Sequence, residues 1–188
     1  IYYSMFGFQR VGDLIWAAGD QRARGFLIGA TAGKTTLSGE GLQHQDGVSQ
    51  LIASTVPNCR AYDPAYAYEL AIIFEHGAKR MLEEQHDEFY YLTVMNENYA
   101  QPACPEGIEE NVIKGMYRLS EKKSSRSKGK VRLLGSGTIL QEVEAAAKML
   151  VDDWQISPDA FSVPMYSEPE SDSRDIWLLY TFDSSDER

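Results

Sequence analysis

The sequence has few cysteines, few histidines and no long apolar run, and each shortage excludes a class of protein. Two cysteines are too few for the disulfide framework of a small secreted domain and form no C-x-x-C pair, so we expect reduced thiols. The three histidines share no H-E-x-x-H spacing, so no metal site is predicted. No run of about 18 apolar residues occurs, so no segment is predicted to span a bilayer.

Positive charge is also scarce. Lys and Arg number 18 against 28 Asp and Glu, which gives a net charge of −10 and disfavours nucleic acid as a partner. The one basic cluster, within residues 122–130, has no aromatic residue on which a base could stack, so we interpret it as a solvated linker. By contrast, 43% hydrophobic and 11% aromatic residues suffice for the core of one domain or slightly more.

The amino terminus is unusual for a natural domain. Ile1 replaces the expected Met and opens an aromatic, apolar run. It has neither the basic region nor the apolar region of a signal peptide, which predicts a cytoplasmic protein. We expect the sequence to be a piece of a longer chain.

Hydrophobic periodicity predicts alternating helices and strands, which is typical of an α/β protein with mainly parallel sheets. A glycine-rich stretch at residues 30–47 is longer than an ordinary connection and is therefore a functional candidate. The predicted helices cover residues 11–25, 63–84, 106–113 and 138–152, and the predicted strands cover 26–29, 89–95, 116–119, 131–134 and 161–163.

The helix over residues 63–84 has the clearest local signals. Asp63 is a good N-cap acceptor, and Pro64 suits the first helical position, where its missing N–H costs nothing. An apolar stripe along this segment predicts a buried face, with Glu69 among the residues expected to face water.

Two glycine motifs suggest nucleotide binding but match it poorly. Gly29 and Gly33, ahead of Lys34, are separated by three residues where a phosphate-binding P-loop needs four. The Gly135-Ser136-Gly137 segment begins a dinucleotide fingerprint, but Leu140 stands where the third glycine belongs. A tight strand-to-helix turn is the better interpretation of the second motif.

His44 differs from the other two histidines, which are predicted to lie on the surface. It lies in the glycine-rich stretch, where an imidazole could donate a proton or a hydrogen bond to a ligand. The residues alone leave this role open beside a purely structural loop, and they favour the loop.

Several long motifs, in unbroken order from Ile1 to about Val163, carry a family resemblance. The sequence resembles the homodimeric type of pyruvate dehydrogenase E1 component, which is built like transketolase. The motifs are YYSMFGFQRVGDLIWAAGD, ARGFLIGATAGKTTLSGEGLQHQDG, STVPNCRAYDPAYAYELA, MNENYAQPACPEG and KGKVRLLGSGTIL.

The resemblance implies a fold and a division into domains. Residues 1–120 would be the later part of the middle domain, a parallel-sheet domain that binds the pyrimidine ring of thiamine diphosphate. Residues 121–130 would be a linker, and residues 131–188 would be the start of a second α/β domain, the transketolase-like C-terminal domain.

The resemblance also implies site residues. Tyr3 and Phe6 would line the pyrimidine pocket, Arg10 would orient that wall, and His44 would be catalytic, facing the reacting carbon and the substrate. The Mg²⁺ ligands and the glutamate that controls the cofactor's tautomer would lie outside this chain, so the isolated chain is expected to be inactive. Where the family reads GEGLQHEDGHSH, this sequence has Gln45, Val48 and Gln50, which replace one carboxylate and two imidazoles.

The implied activity is decarboxylation of pyruvate followed by reductive acetylation of a lipoyl group on an acyltransferase partner, in a homodimer. Two alternatives stay open at this point. One is another transketolase-like 2-oxo acid decarboxylase, and the other is a non-catalytic remnant of the enzyme.

Overall fold

A computed structural model describes residues 1–32, 46–96 and 98–165 of the chain. It contains seven strands and five α-helices within those residues. In chain order they are β1 (Tyr2–Tyr3), α1 (Phe8–Asp20), β2 (Phe26–Ala30), α2 (Ser49–Ala53), β3 (Cys59–Tyr62), α3 (Ala67–Ala78), β4 (Phe89–Thr93), α4 (Glu109–Ile113), β5 (Tyr117–Glu121), β6 (Lys130–Gly135), α5 (Ile139–Trp154) and β7 (Ser157–Ser162).

The first sheet is parallel throughout, with strand order β1-β2-β4-β3. Its central strand β4 is buried along its whole length. Tyr90 and Leu92 pack in one core cluster with Ile73 of α3, while Phe89 and Tyr91 pack in a second cluster. Because neighbouring side chains of a strand point to opposite faces, both faces of this sheet are covered, as in other parallel sheets.

The second sheet has the order β5-β7-β6 and is mixed. β6 and β7 are parallel, whereas β5 runs antiparallel to β7. The α/β class with mainly parallel sheets is therefore confirmed. The domain division at residues 121–130 stays a prediction, although the pairing of β5 with β7 joins the two sides of that linker.

The first helix begins and ends earlier than predicted. It spans Phe8–Asp20 rather than residues 11–25, and Val11 departs from helical geometry inside it. The helix ends where Arg22 adopts a left-handed backbone conformation with φ of 55° and the Ala23 N–H donates to the carbonyl oxygen of Ala18. This terminal bonding pattern replaces the Gly25 stop that the sequence suggested.

Three predictions about the third helix are wrong. α3 begins at Ala67, after an N-cap at Tyr66, so Asp63 does not cap it and Pro64 is not its first helical residue. Glu69 does not face water, since it is 0% exposed. The rest of the prediction is confirmed: Ile73, Gly77 and Met81 are buried, and a π-helical turn at Lys79–Glu83 completes the helix near its expected end.

The basic segment between β5 and β6 makes ion pairs with acidic side chains. Lys122 Nζ lies 2.6 Å from a carboxylate oxygen of Glu144, and Lys123 Nζ lies 3.2 Å from one of Glu121. Among the described residues, no helix has the length and apolar character needed to cross a membrane.

Candidate cofactor site at the carboxyl edge of the first sheet

The four strands of the first sheet end at one edge. Tyr3, Ala30, Tyr62 and Thr93 are the last residues of β1, β2, β3 and β4, and parallel strands bring their carboxyl ends together. Open α/β sheets bind ligands at this edge, so the side chains that follow these strands are the first candidates for a site.

Three residues named from the sequence lie together at the β1 end of this edge. The rings of Tyr3 and Phe6 meet edge to face with centroids 5.7 Å apart. The guanidinium carbon of Arg10 lies 4.8 Å from the centroid of the Phe6 ring, within the range of a cation–π contact. A 3₁₀ turn at Ser4–Phe6 leads into α1, so the three side chains come together within one short segment of the chain.

The cluster of Tyr3, Phe6 and Arg10 is accessible to a ligand. Tyr3 is 46% exposed, Arg10 is exposed and Phe6 is half-buried. Aromatic rings with an accessible surface can stack on a planar heterocycle, and a neighbouring cation orients such a ring. The structure thus brings these three predicted residues together, while their role stays a prediction.

The beginning of α2 is tied to the same region. Asp46 Oδ1 accepts hydrogen bonds from the backbone N–H groups of Val48 and Ser49, at 3.2 and 3.0 Å. The Ser49 hydroxyl donates to the carbonyl oxygen of Ser4 over 3.3 Å. His44, Lys34 and Gln45 lie outside the described residues.

Gln50 makes the next connection along the edge. Its side-chain Nε2 donates to the carbonyl oxygen of Tyr62 over 2.8 Å and to Thr93 Oγ1 over 2.9 Å. Both amide hydrogens of Gln50 are therefore used, and α2 is bound to the ends of β3 and β4. The sequence marked Gln50 only as a departure from the resembled family and gave no sign of these partners.

Asp63 follows β3 and accepts two side-chain hydrogen bonds. Thr93 Oγ1 donates to its Oδ1 and Ser136 Oγ donates to its Oδ2, each over 2.6 Å. Burial raises the pKa of Asp63, and these two hydrogen bonds act against that effect. Ser136 belongs to the turn before α5, so the strand-to-helix interpretation of Gly135-Ser136-Gly137 is confirmed and the turn has a partner in the first sheet.

Glu69 of α3 is a buried carboxylate that joins this helix to the second sheet. Its Oε2 accepts hydrogen bonds from the backbone N–H groups of Ala65 and Tyr66 at the start of α3. Its Oε1 accepts from Tyr117 Oη over 2.6 Å and from Ser162 Oγ over 2.5 Å. Glu69 is three residues after the N-cap and its carboxylate reaches back to the N-cap N–H, but Tyr66 is not the Ser, Thr, Asp or Asn of a capping-box signature, so the sequence did not signal this contact.

Gly29 has a packing role in β2. A Cβ atom at this position would lie 2.7 Å from Tyr91 Oη and 2.8 Å from Ser4 Cβ. The first glycine of the apparent P-loop motif therefore lies inside a strand and is required by the close approach of its neighbours. Gly33 and Lys34 lie outside the described residues.

The described residues include no group of three or more His, Cys, Asp and Glu side chains that could hold a metal ion. His86 is exposed as predicted, whereas His76 is half-buried rather than fully on the surface. The candidate site is thus an aromatic and cationic cluster beside a hydrogen-bonded edge.

Comparison with known proteins gives close relatives. The pyruvate dehydrogenase E1 component of Pseudomonas aeruginosa is 65% identical over 92% of this chain and 19% of its own length. The protein of the same name from Escherichia coli K12 is 57% identical over 93% of this chain and 20% of its own length. The chain thus spans about a fifth of the length of the curated relatives it matches.

Solved structures show the same fold at low sequence identity. Transketolase from Campylobacter jejuni superposes with a TM-score of 0.66 at 16% identity, covering 87% of this chain and 24% of that one. The sequence profile described as "Pyruvate dehydrogenase E1 component middle domain" matches residues 1–102, which is more than half of the chain. The chain therefore belongs to the family of the pyruvate dehydrogenase E1 component middle domain.

Proposed function

We propose that the chain is part of a pyruvate dehydrogenase E1 component that uses thiamine diphosphate to decarboxylate pyruvate and acetylate a lipoyl group. The observation that carries this proposal is 65% identity over 92% of the chain to a protein of that name. When bound, the thiazolium ring of the cofactor supplies the electron sink for decarboxylation.

The aminopyrimidine ring of the cofactor fits the cluster of Tyr3, Phe6 and Arg10. These residues offer accessible aromatic surface and a cation within 6 Å of one ring. Their work would be to bind and orient the ring by stacking. The ligands of the diphosphate and of Mg²⁺ are proposed to come from segments of the enzyme outside this chain.

His44 is proposed as the catalytic residue on the basis of the resemblance. Asp46 is hydrogen-bonded to the start of α2, and Ser49 is hydrogen-bonded to Ser4, so the chain lies at the carboxyl edge from Asp46 onward. An imidazole there would hydrogen-bond the substrate carboxylate or hold a proton during its reaction.

The proposed partners are a second copy of the enzyme and a lipoyl-bearing acyltransferase, in the cytoplasm. α1 carries apolar side chains that suit the first of these, with Val11, Leu14 and Trp16 exposed and Leu14 at 70%. Phe8 does not belong to this surface, because it is 5% exposed and packs against Tyr91 with ring centroids 4.9 Å apart.

A segment exchange tests the proposed activity. The matching segment of the Pseudomonas aeruginosa enzyme is replaced by residues 1–165 of this chain, and pyruvate-dependent reduction of ferricyanide and acetylation of a lipoyl domain are measured. We expect both activities, whereas the isolated 188-residue chain should show neither. An exchanged enzyme that folds as a dimer, binds thiamine diphosphate and does not turn over pyruvate would contradict the proposal.

The same enzyme separates the rival decarboxylase. If turnover with 2-oxobutyrate or 2-oxoglutarate exceeded that with pyruvate at equal concentration, the substrate class would be another 2-oxo acid. A non-catalytic remnant would give no turnover with any of them.

A further inference from the structure

Asp63 lies where the first sheet meets the second half of the chain. Its backbone N–H donates to the carbonyl oxygen of Pro164 over 2.6 Å, and its own carbonyl oxygen accepts from the Gly137 N–H over 3.2 Å. Its carboxylate accepts from Ser136 on one oxygen and from Thr93 on the other. One residue thus holds the end of β3 against the turn before α5 and the segment after β7.

The connection continues from Asp63 to the start of α2. The Thr93 hydroxyl has one proton, and Asp63 Oδ1 at 2.6 Å is a nearer acceptor for it than the Tyr62 carbonyl oxygen at 3.3 Å. The Thr93 oxygen accepts a hydrogen bond from the Gln50 amide. The neighbouring Ser49 donates to the carbonyl oxygen of Ser4, between Tyr3 and Phe6. A hydrogen-bonded line therefore crosses the carboxyl edge from the second sheet to the aromatic cluster.

The chemistry of this line requires an acceptor of two hydrogen bonds at position 63. Thr93 and Ser136 both direct hydroxyl donors at the carboxylate, and a carboxylate accepts on both oxygens. An asparagine of the same shape presents an N–H to one of them and forces that hydroxyl to turn away. Because two donors point at position 63, an aspartate is required there and another polar residue of the same size does not suffice.

We propose that Asp63 is a positioning residue: its carboxylate, acting through Thr93 and Gln50, holds the start of α2 in place on the carboxyl edge and couples that placement to the second sheet. The inference deepens the proposed function, on which it rests for the identity of the site. It assigns Asp63 no contact with substrate or cofactor.

Amide hydrogen exchange on the 188-residue chain tests the coupling without any measurement of activity. The informative amides are Gly137, which donates to the backbone carbonyl oxygen of Asp63, and Ile52, which donates to the carbonyl oxygen of Val48 at the N-cap of α2. Asp63→Asn should lower protection at both by about tenfold, and Thr93→Val should lower it at Ile52 alone. Tyr90→Phe is the matched control. Tyr90 lies in β4 like Thr93, and the substitution removes a buried hydrogen bond to Glu88, so it should not selectively change the protection of Gly137 or of Ile52.

Unchanged Ile52 protection in both Asp63→Asn and Thr93→Val would overturn the proposal. If Asp63→Asn does not fold, Thr93→Val and Ser136→Ala decide it alone. Ser136→Ala removes only the hydrogen bond that the turn after β6 donates to the Asp63 carboxylate, and it should lower protection at Gly137.

The kinetic constants of the Pseudomonas aeruginosa enzyme that carries residues 1–165 of this chain provide a second test. Asp63→Asn and Thr93→Val should lower kcat by about 10- to 100-fold, with KM for pyruvate and the Kd of thiamine diphosphate unchanged, since a small displacement of a reacting group has effects of this size. Tyr90→Phe should keep kcat. Weaker binding of thiamine diphosphate with a normal kcat would contradict a positioning role. If the enzyme with the replaced segment is inactive without any substitution, the proposed function is contradicted, and the hydrogen-exchange result alone decides the role of Asp63.

Discussion

Ser162 Oγ donates a hydrogen bond to Glu69 Oε1 over 2.5 Å, across a sequence separation of 93 residues. Glu69 also accepts from Tyr117 and from two backbone N–H groups that precede α3, so a fully buried carboxylate is held by side chains of the second sheet and by the backbone at the start of its own helix. A buried carboxylate is costly unless its oxygens are satisfied in this way.

Glu69→Gln should therefore destabilise the chain although it conserves shape. The new NH₂ group either faces the Ala65 and Tyr66 N–H groups, which cannot accept, or faces the Tyr117 and Ser162 hydroxyls, which must then turn their protons away. The loss of these charge-assisted hydrogen bonds should lower the free energy of unfolding by about 3 kcal/mol. Urea unfolding measures the change, with Glu75→Gln on the exposed side of α3 as the matched control. Equal stability of the two variants would show that the contacts of Glu69 contribute little.

Glu88 should make stability depend on acid pH. Burial acts to raise its pKa, but hydrogen bonds from Arg80 and Tyr90 outweigh burial and lower the pKa from 4.5 to about 2. A carboxyl whose folded pKa is depressed adds stability above its unfolded pKa, and this contribution is lost as the pH falls from about 4.5 towards 2. The stability difference between the wild-type chain and Glu88→Gln in urea should be largest near pH 7 and shrink by pH 3. A constant difference would exclude this ionisation as its cause.

Two glycine-to-alanine substitutions should have opposite signs. Gly29→Ala places a methyl group 2.7 Å from Tyr91 Oη and should cost about 2 kcal/mol of unfolding free energy, as overpacking does. Gly12→Ala in α1 meets nothing within 4 Å and should gain up to about 1 kcal/mol from helix propensity. Thermal unfolding of both variants checks the pair, and a Gly29→Ala chain as stable as Gly12→Ala would refute the packing argument.

Phe6 and His44 should affect different kinetic constants in the exchanged enzyme. Phe6→Ala removes the ring between Tyr3 and Arg10 and should weaken thiamine diphosphate binding first. His44→Ala should lower kcat by roughly 100-fold, the typical effect of losing one donor to a developing charge, with cofactor affinity nearly intact. Cofactor titration and steady-state assays on both variants separate these effects. An unchanged kcat in His44→Ala would show that His44 is not catalytic and would favour a purely structural role in its loop.

The two cysteines should differ in reactivity. Cys59 is half-buried in β3, and burial raises the pKa of its thiol to about 12, so little thiolate forms near neutral pH. Cys104 is exposed. A chromogenic disulfide reagent at pH 8 should therefore modify one thiol per chain rapidly in the folded state and two in urea, and Cys104→Ser should abolish the rapid phase. Rapid loss of both thiols in the native chain would contradict the burial of Cys59.

Local patterns predicted the elements well where the signal lay within the element. A continuous run rich in aromatic and β-branched residues located β4, and the helical stripe located the buried face of α3. Tyr3, Phe6 and Arg10 were named by the family resemblance and not by a local pattern, and the structure brings them together because they are separated by only three and four residues. Their sequence motifs also indicated the family that the comparisons show.

The sequence by itself thus determined the α/β class, the family and the local aromatic cluster. Only the tertiary structure decided the roles of Asp63 and Glu69. From the sequence, Asp63 was predicted to cap a helix and Glu69 to face solvent, because local patterns report only on residues that are near in the sequence. Their side-chain partners are 30 to 93 residues away and reach them only in the folded chain: Thr93 and Ser136 for Asp63, and Tyr117 and Ser162 for Glu69. A buried carboxylate takes its role from the donors that surround it, and those are assembled by the fold.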